Sequence, residues 1–273
     1  MTGRKFEGKV ALITGSSNGI GRGIASHFAG LRAKITITGR SEADLAETKK
    51  QCLEAGAKAE DIHDLAGDLG CEEFMDKLVS STVEKFGRLD YLINNAGVGD
   101  QDNSGKKPGF FSQDMTSFDY IFKINLRCPV YLIRKSAPHL ESAKGAIVNI
   151  SSICSSEGQA CAFSFYAMSK AAMDQMTRNL ALEMIAKGVR VNAIRPGAVV
   201  SAMHQKQGVS DAVAEAAREQ YAKDFSLIPV QRMGVPEDVA KLTAYLCDGN
   251  ESSYLIAQEP YPQRDTAEKI RLP

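Results

Sequence analysis

Val10-Ala11-Leu12-Ile13-Thr14-Gly15-Ser16-Ser17-Asn18-Gly19-Ile20-Gly21 opens on a short apolar run and closes on a glycine-rich turn. The run suits a strand buried on both faces. Apolar residues at helical spacing follow at Ile24, Phe28 and Leu31. Strand, glycine turn and helix form the setting in which such a turn binds a dinucleotide. Glycine lets the backbone approach a pyrophosphate, and the helix N-terminus supplies N–H donors. The spacing is G-x-x-x-G-x-G, not the general G-x-G-x-x-G, so the turn taken alone also reads as a plain connection.

The same alternation continues along the chain. A second strand is expected over Ala33–Thr38, then a helix capped by Ser41 that runs to about Ala55 and stops at Gly56. A third strand over Asp61–Ala66 leads through Gly67-Asp68-Leu69 to a helix with Phe74, Leu78 and Phe86 on its apolar stripe, ended by Gly87. Leu89–Ile93 is the fourth strand and runs into Asn94-Asn95-Ala96-Gly97. Small residues at a strand's C-terminal end leave room for a ligand in the crevice of an open α/β sheet. Residues Val98–Gln113 read as a polar loop, and Phe118–Leu140 as a helix kinked at Pro129. Ala146–Ile150 is the fifth strand and ends at Ser151-Ser152. A helix then runs from Tyr166 to Lys187, with Met173, Met176, Leu180 and Met184 as its packing stripe. Val189–Ile194 is the sixth strand, followed by Arg195-Pro196-Gly197, a helix-prone stretch over Asp211–Lys223, and a helix opened by Pro236. Strands alternating with helices imply a Rossmann-type, doubly wound parallel sheet in a single domain over residues 1–256.

Composition limits the function classes. The 273 residues carry 33 basic and 33 acidic side chains, a balance that favours neither nucleic acid nor an acidic membrane as partner. The 6 cysteines (Cys52, Cys71, Cys128, Cys154, Cys161, Cys247) form no C-x-x-C pair, so they read as reduced thiols and not as a metal or disulfide frame. The N-terminus shows no apolar leader core and no later run is long enough to span a bilayer, so a cytoplasmic protein is expected.

Two local patterns point to chemistry. Tyr166 and Lys170 stand four apart, so phenol and ammonium share a helix face. A nearby cation favours the phenolate, whose ordinary pKa of about 10 must fall for proton transfer near neutrality. That spacing is also common on ordinary exposed helices. The second strand ends in Gly39-Arg40, where NAD sites carry an acidic residue for the ribose hydroxyls. Arginine suits a 2′-phosphate instead, so NADP is favoured over NAD, against the plain alternative of a solvated arginine at a helix start.

Together these segments resemble the short-chain dehydrogenase/reductase family from Gly8 to about Cys247. The resemblance rests on Thr14-Gly15-x-x-x-Gly19-x-Gly21, Asp68-Leu69, Asn94-Asn95-Ala96-Gly97, Asn125, Ser151-Ser152, Tyr166-x-x-x-Lys170 and Pro196-Gly197. It implies that Tyr166 is the general acid in reduction and the base in reverse. Lys170 would lower the Tyr166 pKa and bind the nicotinamide ribose, Ser152 would bond the substrate oxygen, and Asn125 would hold a water linking Lys170 to solvent. The implied cofactor-binding residues are Gly15, Ser17, Asn18, Gly19, Ile20, Gly21, Arg40, Asp68, Leu69, Asn95, Ala96, Gly97, Tyr166, Lys170, Pro196, Gly197, Val199 and Ser201; no metal is implied. Ser201 stands where the family has a threonine, keeping a hydroxyl for the nicotinamide amide. The interval from Ser152 to Tyr166 is slightly longer than usual.

The end of the chain departs from the family's last strand and Asp-Gly-Gly stretch. Pro260 and Pro262 lack ladder donors, so residues 257–273 read as an atypical tail outside the usual strand. A homodimer through the long helices is therefore expected, with the family's tetramer weakened or lost. The function implied is an NADP-dependent carbonyl reductase acting on a ketone or secondary alcohol. The alternative is a dinucleotide-binding protein with little or no turnover because of the altered C-terminus.

Overall fold

A computed structural model describes residues 5–99, 110–156, 164–200, 215, 219, 222–224, 228 and 230–258. Six parallel strands, β1 (Val10–Ile13), β2 (Lys34–Gly39), β3 (Ile62–Ala66), β4 (Tyr91–Asn94), β5 (Ala146–Ile150) and β6 (Arg190–Ile194), form one sheet of order β3-β2-β1-β4-β5-β6. The chain runs outward from β1 to β3, then returns to start again at β4. The crevice of such a sheet therefore lies beyond the C-terminal ends of β1 and β4, where the strand order reverses.

Side chains of β1 alternate between two cores. Ala11 and Ile13 join Phe6, Ile24, Phe28 and Leu246 on one face. Val10 and Leu12 join Leu78, Leu132, Ile147 and Met184 on the other. The first face is covered by α1 (Gly19–Gly30), α2 (Glu42–Glu54) and a helix opened by Pro236, here α7 (Pro236–Cys247). The second is covered by α3 (Glu72–Phe86), α5 (Cys128–Ala143) and α6 (Ser164–Ile185). Burial of both sheet faces explains why the strands read as continuous apolar runs. The methionine stripe of α6 packs as expected, with Met173 and Met184 buried and Met176 and Leu180 against the core.

The helix expected over Phe118–Leu140 is built in three pieces: α4 (Met115–Phe122), a π turn (Lys123–Arg127) and α5. The disturbance lies before Pro129, not at it. In an α-helix the N–H of residue 129 would bond the Asn125 carbonyl; proline has no N–H and its ring crowds that carbonyl. The wider turn relieves the conflict, and the Cys128 N–H reaches back to the Lys123 carbonyl.

Two features secure the C-terminal part of the described chain. Arg190, buried on β6, donates to the carbonyls of Leu246 (2.6 Å), Cys247 (3.0 Å) and Ser252 (3.3 Å) and to Ser252 Oγ (3.0 Å). A cation there also suits the negative end of α7. Beyond it, residues 252–258 hold no strand. They are nevertheless docked on β6: Ala257 N–H bonds Val191 O and Ala193 N–H bonds Gln258 O, both at 2.9 Å. The rest of the atypical tail, 259–273, lies outside the described residues. Of the helix expected over 211–223, Glu215, Glu219, Ala222 and Lys223 are described, and all four are helical.

Candidate active site

The β1–α1 turn is stitched to its neighbours on both sides, to β2 and α2 and to the segment after β4. Asn95 Nδ2 donates to the carbonyls of Thr14 (2.9 Å) and Gly15 (3.0 Å). Thr48 Oγ1 takes the Ser16 carbonyl at 2.9 Å, and Arg22 Nη2 takes that of Ser17. Thr14 Oγ1 in turn accepts the N–H groups of Asn95 and Ala96, each at 3.0 Å. Gly15 has φ +62°, and a Cβ there would stand 2.7 Å from Ala96 Cα, so only glycine permits this approach of the two strand ends. With the carbonyls of Thr14 to Ser17 engaged by protein donors, the first turn of α1 presents N–H groups. Asn18 at its N-cap makes no side-chain cap bond, and the turn carries no acidic residue. By contrast, α2 is capped by Ser41 Oγ and carries Glu42 and Asp44. A donor-lined turn beside glycine fits a pyrophosphate. Gly19, Ile20 and Gly21 belong to this turn, as the sequence reading has it.

The tips of β2 and β3 frame one end of the crevice. Ser17 closes position 39: a Cβ on Gly39 would stand 2.7 Å from both Cβ and Oγ of Ser17. An acidic side chain at the end of β2 thus has no room, and the exposed Arg40 is the charged group offered there. Asp68 and Leu69 follow β3, with Asp68 Oδ1 accepting the Gly70 N–H at 2.8 Å.

The residues that the family resemblance marks for chemistry lie on α6 and the tips of β4 and β5. Lys170 is buried, its Nζ 5.7 Å from the centroid of the half-buried Tyr166 ring and bonded to the Ile150 carbonyl at 2.7 Å. Burial pulls the Lys170 ammonium down to about 8, although Asp174 one turn on favours its charged form. Gly97 borders the same point: a Cβ there would lie 3.4 Å from Lys170 Nζ and 3.5 Å from Asn125 Oδ1. Ser151 serves the strand end, its N–H bonding the Ile194 carbonyl at 2.7 Å and its Oγ the Lys170 carbonyl at 3.4 Å. Ser152 Oγ accepts the Cys154 N–H at 3.1 Å, which leaves its own proton to be directed elsewhere. The Asn125 amide is committed to Val98, accepting its N–H and donating to its carbonyl (2.8 Å each), and donates again to Ser169 Oγ at 3.0 Å.

Pro196 and Gly197 follow β6, and Val199 pairs with Gly234 in an isolated parallel bridge. Ser201 lies outside the described residues, as do Cys161 and most of the interval between Ser152 and Tyr166. The other 5 cysteines carry no disulfide. Among the described residues no group of His, Cys, Asp and Glu is spaced for a metal, and no helix is long and apolar enough to cross a membrane.

Two polar devices beneath the site escaped the sequence reading. Asn94, Asn149 and Thr177 form a buried chain across β4, β5 and α6, with links of 2.8 and 2.9 Å. Arg195, before Pro196, pairs with the buried Asp174 at 2.8 Å. Both join residues distant in sequence, so no local pattern marks them; the asparagine inside an apolar β5 is the one visible signal.

The chain as a whole is similar to known proteins. A family described as enoyl-(acyl carrier protein) reductase matches residues 15–261. The chain is 32% identical over 267 residues to glucose and ribitol dehydrogenase of Daucus carota, covering 94% of this chain and 84% of that protein. It is 31% identical over 265 residues to NADPH-dependent aldehyde reductase 1, chloroplastic, of Arabidopsis thaliana, covering 94% and 86%. Its fold superimposes with a TM-score of 0.90, at 35% identity and covering 94% of each chain, on a short-chain dehydrogenase/reductase of unknown function from Caenorhabditis elegans solved with cofactor. The donor-lined turn, the Tyr166–Lys170 face and these matches along nearly the whole chain make it a member of the short-chain dehydrogenase/reductase family of nicotinamide-dependent oxidoreductases.

Proposed function

We propose that the protein interconverts a ketone and a secondary alcohol with NADP, a carbonyl-reductase activity. The observation that carries this reading is the buried Lys170 ammonium beside the Tyr166 ring, at the junction of Ile150 and Gly97. A nicotinamide dinucleotide, when bound, supplies the hydride that reaches the carbonyl carbon in reduction. Tyr166 gives its phenolic proton to the carbonyl oxygen, which takes it with the former C=O π pair; in oxidation it receives that proton back. Ser152 directs its O–H to the same oxygen, where negative charge develops. Lys170 stabilises the phenolate left behind. A water linking Lys170 to solvent would bond the Asn125 backbone carbonyl, since the side-chain amide is held by Val98 and Ser169.

The preference for NADP is supported by Arg40 at the tip of β2, by the closed position at Gly39, and by the cofactor named for the Arabidopsis relative. The test is NADPH oxidation by the purified protein across a panel of ketones, diketones and aldehydes. Turnover is expected, and Tyr166→Phe should lower it by about 100-fold or more while leaving NADPH binding intact. NADPH bound but never oxidised across the panel would mark a dinucleotide-binding protein instead.

A further inference from the structure

Arg40 does not stand alone at the adenosine end. Its Nη1 donates to the hydroxyl of Tyr120 at 3.3 Å, a contact across 80 residues of sequence. Tyr120 lies on α4, so this helix reaches past the tip of β3 to the loop that opens α2. Lys123 stands one turn after Tyr120, and positions three apart share a helix face. Its Cε would lie 3.4 Å from a Cβ on Gly70, a position that is also 3.3 Å from Asp68 Oδ1. Arg40 and Tyr120 therefore form a rim, and Lys123, one turn further along, stands with Asp68 around Gly70. Tyr120 is substantially exposed, at 43%, so the rim is open to a ligand.

We infer that Tyr120 is a specificity-determining residue that binds the 2′-phosphate of the cofactor's adenosine jointly with Arg40. The inference rests on the NADP reading above and extends it to a residue of another element. The chemistry follows from the direction of the bond. Tyr120 Oη accepts from Arg40, so its own proton points away from the guanidinium and is available to a phosphate oxygen. A hydroxyl that accepts from a cation is also a stronger donor. One guanidinium N–H is used on tyrosine, which leaves four for the phosphate, and Tyr120 fixes the plane in which they are offered. A free ribose hydroxyl needs none of this, so the pair favours the phosphorylated cofactor over the plain one.

The test is a double-mutant cycle read by equilibrium binding of NADPH and NADH to the wild type, Tyr120→Phe, Arg40→Ala and the double variant. Phenylalanine keeps the ring at an exposed position and removes only the hydroxyl. Tyr120→Phe should weaken NADPH by about 3- to 20-fold and leave NADH unchanged, raising KM for NADPH with kcat unaltered. In the Arg40→Ala background the same change should cost NADPH little more, because the hydroxyl acts with the guanidinium. Equal effects of Tyr120→Phe on both cofactors, or no effect on either, would overturn the role given to Tyr120. If Arg40→Ala itself weakened both cofactors equally, the NADP reading would fall, and the proposal with it.

Discussion

Lys170 Nζ donates to the carbonyl of Ile150 at 2.7 Å, so the last residue of β5 holds the ammonium that faces Tyr166. This charge is kept out of water for the sake of the site and not of the fold. Burial lowers it from 10.5 to about 8. The unfolded chain therefore binds the proton more tightly between those limits, and stability rises with pH across that window. The charged form costs the fold about 3 kcal/mol below pH 8, a cost that vanishes above pH 10.5. Lys170→Met should abolish turnover. Relative to wild type, its unfolding free energy should gain about 3 kcal/mol between pH 10.5 and pH 8. Denaturant unfolding of both proteins at the two pH values checks this; a constant difference would refute it.

Arg40→Ala should weaken NADPH by about 10- to 150-fold, the worth of a charge-assisted hydrogen bond, while leaving NADH nearly untouched. Fluorescence titration with each cofactor is sufficient. The exposed position of Arg40 means that melting temperature should not move.

Asn95→Ala gives the opposite signature. Its amide holds the carbonyls of Thr14 and Gly15, so the loss falls on the turn shared by either cofactor. Stability should drop by about 1–3 kcal/mol, and NADPH and NADH should weaken to the same extent. A selective effect on one cofactor would contradict the part assigned to Asn95.

Ala257 has φ +54°, in the left-handed region that suits glycine. Replacing it by glycine should stabilise the protein by about 1 kcal/mol, the strain of a Cβ in that region outweighing the extra freedom of the unfolded chain. Chemical denaturation measures the shift, and a destabilised variant would show that the methyl packs better than its backbone conformation costs.

What could be read in the chain was local. Strand runs, the Ser41 cap and the left-handed stop at Gly87 all depend on neighbours in sequence, and each is found where the pattern puts it. Grouping of Gly15, Asn95, Gly97 and Lys170 around one crevice follows from the sheet order, which strand and helix alternation implies. Asn125 was harder. The resemblance gives it a water to hold, yet only the fold shows that its amide clamps Val98 and that the turn around it is π-helical. Pro129 four residues on was the physical cue, because its missing N–H falls opposite the Asn125 carbonyl. The Arg40–Tyr120 and Asp174–Arg195 contacts left no cue, since their partners come from different elements with no shared period.

The carbonyls that receive the buried guanidinium of Arg190 belong to residues 56 to 62 positions further along the chain. On the ribosome, β6 therefore emerges several seconds before the groups that allow its arginine to leave water, at about 5–20 residues per second. Burying that cation unpaired is costly, so the final strand waits for α7 and Ser252 before it joins β5. The last strand to be synthesised is then also the last to join the sheet. Proteolysis of stalled nascent chains should find the β6 region cleavable until Ser252 has cleared the exit tunnel, and protected soon afterwards.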